Sequence, residues 1–103
     1  AAASRVFATV RRLHAVEDLN VMLANASVFL EAFGHLVVAW QWLEQAMVAQ
    51  AAVPASDADR DFYAGKLQAA RYFFRWELPR IGPMLDLLDS IDTTTLDMQD
   101  AWF

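Results

Sequence analysis

A stretch without proline, residues 18–52, constrains the fold of this chain more than any other feature. Large apolar side chains recur along it at intervals of three and four, which is the period of one face of an α-helix. Val38 and Trp42 lie off that face and bring apolar surface to the other side of the helix. Because a helix that is apolar on most sides is covered on most sides, we expect it to have neighbours on more than one flank. The main stripe comprises Leu19, Met22, Leu23, Ala26, Phe29, Leu30, Phe33, Val37, Trp40, Leu43 and Met47.

Periodicity and proline mark the remaining helices. After Pro54, Ser56 has the residue type of a helix N-cap, with an acidic residue, Asp59, three positions later. Pro79 removes one backbone hydrogen bond and is expected to end or kink the helix that Ser56 begins. Short connections make neighbouring helices antiparallel. The sequence therefore predicts an all-α antiparallel bundle of three main helices, about 3–16, 18–52 and 57–78, plus a short C-terminal helix, about 83–91.

The composition excludes several classes of protein. The 103 residues are 57% apolar, which predicts a single helical domain with its own core. There is no cysteine, so disulfides, zinc fingers and cysteine nucleophiles are excluded. A net charge of −5 argues against nucleic-acid binding.

Membrane insertion and secretion are not expected. Asp18, Glu31 and Glu44 interrupt the longest apolar stretch, whereas a membrane span needs about 20 mainly apolar residues. No basic segment leads into an apolar leader, so we predict no signal peptide and a cytoplasmic location. The chain starts without methionine, and we interpret residues 1–103 as a piece of a longer chain.

Four residues on the second and third helices are candidates for structural or interface roles. A turn centred near Pro54 places Glu44 opposite Lys66, and we expect an ion pair between the two helices. The alternative is a functional pair in a cleft. Val38 and Trp42 are candidates for a docking surface because they carry the apolar character around the long helix.

Gly65 and Arg71 complete the set of candidates. Glycine inside a helix costs about 1 kcal/mol relative to alanine, so Gly65 predicts the close approach of a second helix. Arg71 shares one face with Arg75 and is predicted to be solvated or interfacial. Contact with a ligand phosphate is the less favoured alternative, since arginine recognises phosphate through two parallel hydrogen bonds.

No residue matches a catalytic, cofactor-binding or metal-binding motif. His35 follows Glu31 by four residues, but metal sites in helical bundles use repeated E-x-x-H pairs, which are missing here. Asp86, Asp89 and Asp92 recur at every third position, unlike the ligands of a calcium loop. We expect these carboxylates to form a solvated face.

Two sequence patterns occur in a fixed order. Residues 34–46 read G-H-L-V-V-A-W-Q-W-L-E-Q-A, and residues 61–74 read D-F-Y-A-G-K-L-Q-A-A-R-Y-F-F, with Leu78-Pro79 just after. This order and spacing resemble the acetyl-CoA dehydrogenase-like C-terminal domain, an extra helical domain of certain large acyl-CoA dehydrogenases. The resemblance covers about residues 24–81.

The resemblance implies that the parent protein is an oxidoreductase of fatty acid metabolism. Such enzymes oxidise an acyl-CoA between its α and β carbons, a catalytic carboxylate removing the α proton and FAD accepting a hydride. Those groups belong to the preceding domains, and no catalytic residue carries over to this chain. The implied role of residues 1–103 is structural or interfacial, without a cofactor of its own. The implied partners are the upstream domains of the same chain and further copies in a homo-oligomer.

A second interpretation comes from the residues alone. The chain would be a free-standing helical interaction module that homodimerises through Val38, Trp42 and the flank formed by Phe62, Phe73 and Trp76. The dehydrogenase interpretation requires several hundred preceding residues with a flavin site, and the interaction module requires a start codon near Ala1.

Overall fold

The computed structural model describes all residues from 1 to 103, and they form helices and loops without a β-strand. The all-α prediction is confirmed. A single π-helical turn and a 3-10 turn connect the last two α-helices, and another 3-10 turn lies near the C-terminus. The elements are α1 Ala2–His14, α2 Leu19–Met22, α3 Ala26–Ala51, α4 Asp57–Tyr72, the π turn Phe73–Glu77, the 3-10 turn Leu78–Arg80, α5 Ile81–Asp89 and the 3-10 turn Asp100–Trp102.

The prediction of one continuous helix over residues 18–52 is wrong near its N-terminal end. Asp18 caps the single turn α2 by accepting a hydrogen bond from the Asn20 N–H, and a turn then separates α2 from α3. The Thr95 hydroxyl donates to the Ala24 carbonyl at 3.0 Å, and the Asn25 amide donates to the Asp92 carbonyl at 2.8 Å. The Thr95 hydrogen bond therefore occupies a backbone carbonyl at the point where the sequence predicts an unbroken helix, and the Asn25 side chain ties the same point to Asp92.

Pro79 perturbs the chain without ending the helical run. Regular α-helix stops at Tyr72, and the π turn widens the backbone immediately before the proline. A proline ring would clash with the carbonyl four residues earlier, here Arg75, and has no N–H to donate. A π turn at that point relieves the clash. Helical geometry then resumes as α5 two residues before Pro83, the predicted start of the last helix.

The chain is organised as two compact units. The first consists of Ala1–Gly34 and Ile81–Phe103, and the second consists of His35–Arg80. That residues 1–103 form a single domain stays a prediction.

In the first unit, α1 packs against α5 around a small core. Apolar side chains from both helices are almost completely inaccessible to solvent, and so is one polar side chain, Thr9. The Thr9 hydroxyl donates to Asp89 Oδ1 at 2.7 Å, which satisfies it inside the core. The fully buried residues here are Val6, Thr9, Ala32, Ile81, Leu85 and Leu88.

An ionic network lies beside that core. Arg5 donates to Asp86 Oδ1 at 2.6 Å and to Asp89 Oδ2 at 3.0 Å, while Arg12 Nε donates to the Asp89 carbonyl at 3.0 Å. The hydrogen bonds to Asp86 and then Asp89 raise the pKa of the Arg5 guanidinium. The prediction of a solvated acidic face is therefore wrong for Asp89, which links α5 to α1.

The second unit contains an antiparallel helical hairpin formed by α4 and the part of α3 that begins at His35. His35 lies near Phe73 and Trp42 lies near Lys66, so the two helices run in opposite directions. Ser56 caps α4 by accepting a hydrogen bond from the Asp59 N–H at 3.1 Å, which confirms the predicted N-cap. Asp59 in turn accepts from the Ala55 N–H at 3.3 Å, so the two side chains hold the start of the helix from both sides.

By length and composition, α3 is one helix that could cross a membrane. This corrects the expectation that Glu31 and Glu44 leave no stretch of α3 long enough to span a membrane. One helix of this kind is a weak indication, since core helices of water-soluble proteins pass the same test. The lack of a membrane span stays a prediction.

Two carboxylates of α5 differ in how much they stabilise the first unit. The Asp86 side chain is 74% exposed, and exposed ion pairs contribute about 0–1 kcal/mol. The Asp89 side chain is 34% exposed and also accepts from the buried Thr9 hydroxyl. We expect Asp89→Ala to lower the free energy of unfolding by about 1–2 kcal/mol more than Asp86→Ala. Chemical denaturation of both variants measures the difference, and equal losses would contradict the structural role assigned to Asp89.

Candidate functional site

The Lys66 ammonium is the centre of a polar and aromatic cluster between α3 and α4. Its Nζ lies 5.8 Å from the centre of the Trp42 ring and 5.4 Å from that of the Phe62 ring. Both distances are within the range of cation–π attraction. Lys66 forms no ion pair with Glu44, so the predicted pair between the helices is wrong.

Glu44 and Lys66 nevertheless line the same groove, as the register predicted from the turn at Pro54 requires. The groove has a volume of about 330 Å³. The Lys66 ammonium in this groove interacts with an aromatic ring, and Glu44 is exposed to solvent. The lining residues are Gln41, Glu44, Gln45, Val48, Ala49, Phe62, Tyr63 and Lys66.

His35 belongs to a second cluster, at the π turn. Its Nε2 lies 3.4 Å from Glu77 Oε2, and Arg80 donates to the same carboxylate oxygen at 3.2 Å. The His35 ring also lies 6.1 Å from the Phe73 ring. Glu77 thus contacts both His35 and Arg80, and its contact with His35 links the π turn to α3.

The other predicted residues have different surroundings. Val38 is exposed, whereas Trp42 is half-buried beneath Lys66. Arg71 is exposed and donates to the Gln68 side chain at 3.2 Å, one turn away on the same helix. Arg71 therefore lies on a solvent-facing part of α4.

Gly65 does not mark a close helix approach, so that prediction is wrong. A Cβ atom added at this position would have no other atom within 4 Å apart from its own helix. The residue is exposed. Nothing within residues 1–103 explains why glycine rather than alanine occupies this position.

An apolar cavity of about 200 Å³ lies in the first unit, between α1 and the start of α3. Two polar residues, His14 and Asn25, are at its edge, but the Asn25 amide is already committed to the Asp92 carbonyl. The cavity is lined otherwise by Val10, Leu13, Met22, Leu23, Ala26, Phe29 and Leu88.

The arrangement consists of a groove in the second unit and an apolar cavity in the first. No set of three or more His, Asp or Glu side chains is positioned to hold a metal ion. The groove residues do not fit FAD, because Lys66 is the only cation among them and its ammonium is within cation–π distance of two aromatic rings.

The contact of Arg5 and Thr9 with Asp89 was not predicted from the sequence. A signal was present, because residues 5, 9 and 12 follow one another at helical spacing and Asp86 and Asp89 do the same. Complementary charges at that spacing indicate two helices whose polar edges face each other.

Comparison with known proteins identifies the family. The family described as "Acetyl-CoA dehydrogenase C-terminal like" matches residues 1–99. The chain belongs to this family. The match includes α1 and the C-terminal segment, both of which lie outside the residues on which the sequence resemblance rests.

A relative supports the same assignment. The chain is 31% identical over 77 residues to the broad-specificity linear acyl-CoA dehydrogenase FadE5 of Mycobacterium tuberculosis. The aligned part is 73% of this chain and 13% of that protein, so the chain spans only a small share of its relative. No solved structure matches the chain.

Replacement of Gly65 by alanine is expected to stabilise the protein. The added methyl group meets no atom, and the change gains helix propensity, so we expect Gly65→Ala to raise the free energy of unfolding by about 0.5–1 kcal/mol. The reverse change at the exposed neighbouring residue, Ala64→Gly, is the matched control and should lower it by a similar amount. Thermal or chemical denaturation measures both, and a destabilising Gly65→Ala would show that another surface packs on Gly65.

Double-mutant cycles separate the two proposed partners of Lys66. We expect a coupling of about 0.5–1 kcal/mol between Lys66→Met and Trp42→Leu, because both changes remove the cation–π contact. The cycle of Lys66→Met with Glu44→Gln should give a coupling close to zero. The couplings are calculated from free energies of unfolding. A larger coupling of Lys66 to Glu44 than to Trp42 would show that Lys66 forms the ion pair with Glu44.

Proposed function

We propose that this chain is the C-terminal accessory domain of an FAD-dependent acyl-CoA dehydrogenase and is itself non-catalytic. The match of the C-terminal family along residues 1–99 carries the proposal. The small share of the relative that the chain covers supports it further, because the remainder of such a protein is where flavin and acyl-CoA would bind.

The described residues support a structural contribution to that enzyme. They supply helices with wide apolar faces and polar contacts that fasten one helix to another, but no grouping of a nucleophile with a base. Bound FAD would accept the hydride from the acyl-CoA, and residues outside this chain would hold both molecules. This domain would maintain packing between the dehydrogenase domains or between copies in a homo-oligomer.

The setting proposed for the parent protein follows from this role. It would be a flavoprotein oxidoreductase of fatty acid metabolism in the cytoplasm, and its substrate would be an acyl-CoA. The presence of an acyl-CoA dehydrogenase among the relatives supports the substrate class.

The native gene product provides the test. It is captured from its source with an antibody against residues 1–103, and its intact mass and visible absorption spectrum are recorded. We expect a mass several times the 11.6 kDa of this chain and a flavin spectrum. Anaerobic addition of an acyl-CoA should then bleach the flavin as it is reduced.

The alternative outcome is equally clear. A colourless species near 11.6 kDa would discard the dehydrogenase proposal and favour the homodimerising interaction module. In that case, replacing Val38 and Trp42 together by aspartate should reduce the oligomeric state.

A further inference from the structure

The outward face of α3 in the second unit is unusual because its large side chains point to solvent. Four apolar residues at intervals of three and four residues, and therefore on one helix face, are between 39% and 64% exposed. We name this set the outer stripe: Val37, Trp40, Leu43 and Met47.

The residues of α3 that are buried in this unit are small. Ala39 and Ala49 have 3% and 7% of their surface exposed. Only 11% of the most apolar 18-residue window of α3 is buried within residues 1–103. A large contiguous apolar surface of this kind marks an interaction site, because water-soluble proteins rarely leave one uncovered.

The charges of α3 indicate what covers the outer stripe. Glu44 lies on the same face, one turn after Trp40, and forms no ion pair. The helix contains neither lysine nor arginine. A second copy of α3 would therefore add another carboxylate without a cation, and the whole chain already has a net charge of −5. A surface that complements this face would be apolar, with a basic residue opposite Glu44. The aligned part of this chain is only 13% of the relative, so most of such a polypeptide lies outside residues 1–103 and can supply that surface.

We propose that the outer stripe is the surface on which the flavin-binding dehydrogenase portion of the same polypeptide docks, through an apolar helix face with a lysine or arginine opposite Glu44. This inference rests on the proposed function, which supplies that portion of the polypeptide. Beside the stripe, Met47 and Leu67 line a shallow depression of about 470 Å³, into which side chains of the docked helix insert.

Hydroxyl-radical labelling of the full-length, flavin-loaded polypeptide tests this surface. The labelling rate of Met47 is measured by mass spectrometry in lipid-free buffer and compared with its rate in the same polypeptide unfolded in urea. Met47 is 64% exposed in residues 1–103 alone, so an undocked stripe would be labelled at roughly half the unfolded rate or faster. Docking predicts a rate below about one tenth of the unfolded rate, because the core of an interface excludes water.

Reversing the charge of Glu44 tests whether a basic residue of the docked surface faces it. Glu44→Lys should raise the labelling of Met47 at least about threefold, because like charges would then face each other at the interface. Gln45→Lys places the same side chain at the adjacent exposed position, off the outer stripe, and should leave the labelling unchanged. An equal response to both variants would overturn the assignment of Glu44.

The remaining outcomes separate this inference from the proposed function. If the polypeptide has no flavin absorbance, the proposed function fails and the docking proposal fails with it. If it contains flavin and Met47 is labelled at the undocked rate, only the docking proposal is overturned. Protection that disappears when dimers are diluted to monomers, with the flavin retained, assigns the stripe to a second copy and also overturns it.

Discussion

The structure depends on a helix, α3, that is apolar on two sides. α3 buries three alanines and leaves Leu30, Trp40, Met47 and Val48 between 60% and 70% exposed, so much of its apolar surface is not covered by contacts inside residues 1–103. Burying a leucine, methionine or phenylalanine contributes about 1.5–3 kcal/mol. A helix that leaves several such residues exposed therefore has a large stabilisation still to gain from a partner surface.

Each of the two units is stabilised by a different set of internal contacts. In the first unit, a buried hydroxyl and an arginine converge on Asp89, and the apolar core forms beside them. In the second unit, the hairpin is joined by Lys66 above aromatic rings at one level and by His35 with Glu77 at another. Both sets of contacts fix helices relative to their neighbours in the same unit.

The π turn shows how a change in local backbone geometry produces a tertiary contact. Pro79 prevents a regular α-helix across residues 73–80, and the widened turn there places Glu77 within reach of both His35 and Arg80. A regular helix would have rotated Glu77 to another direction. The proline therefore contributes to the tertiary contacts of the second unit as well as to the course of its backbone.

The sequence by itself determined the all-α class, the N-cap at Ser56, the antiparallel register of α3 and α4 and the family resemblance. Each of these depends on neighbours in sequence or on spacing along one helix, and such information is local. Tertiary structure decided the rest. The break before Ala26 lies where the Thr95 hydroxyl donates to the Ala24 carbonyl, and the Lys66 ammonium lies near two aromatic rings instead of pairing with Glu44. Periodicity also could not tell which apolar face of α3 lies inward, because both faces are apolar and only packing distinguishes small inward residues from large outward ones.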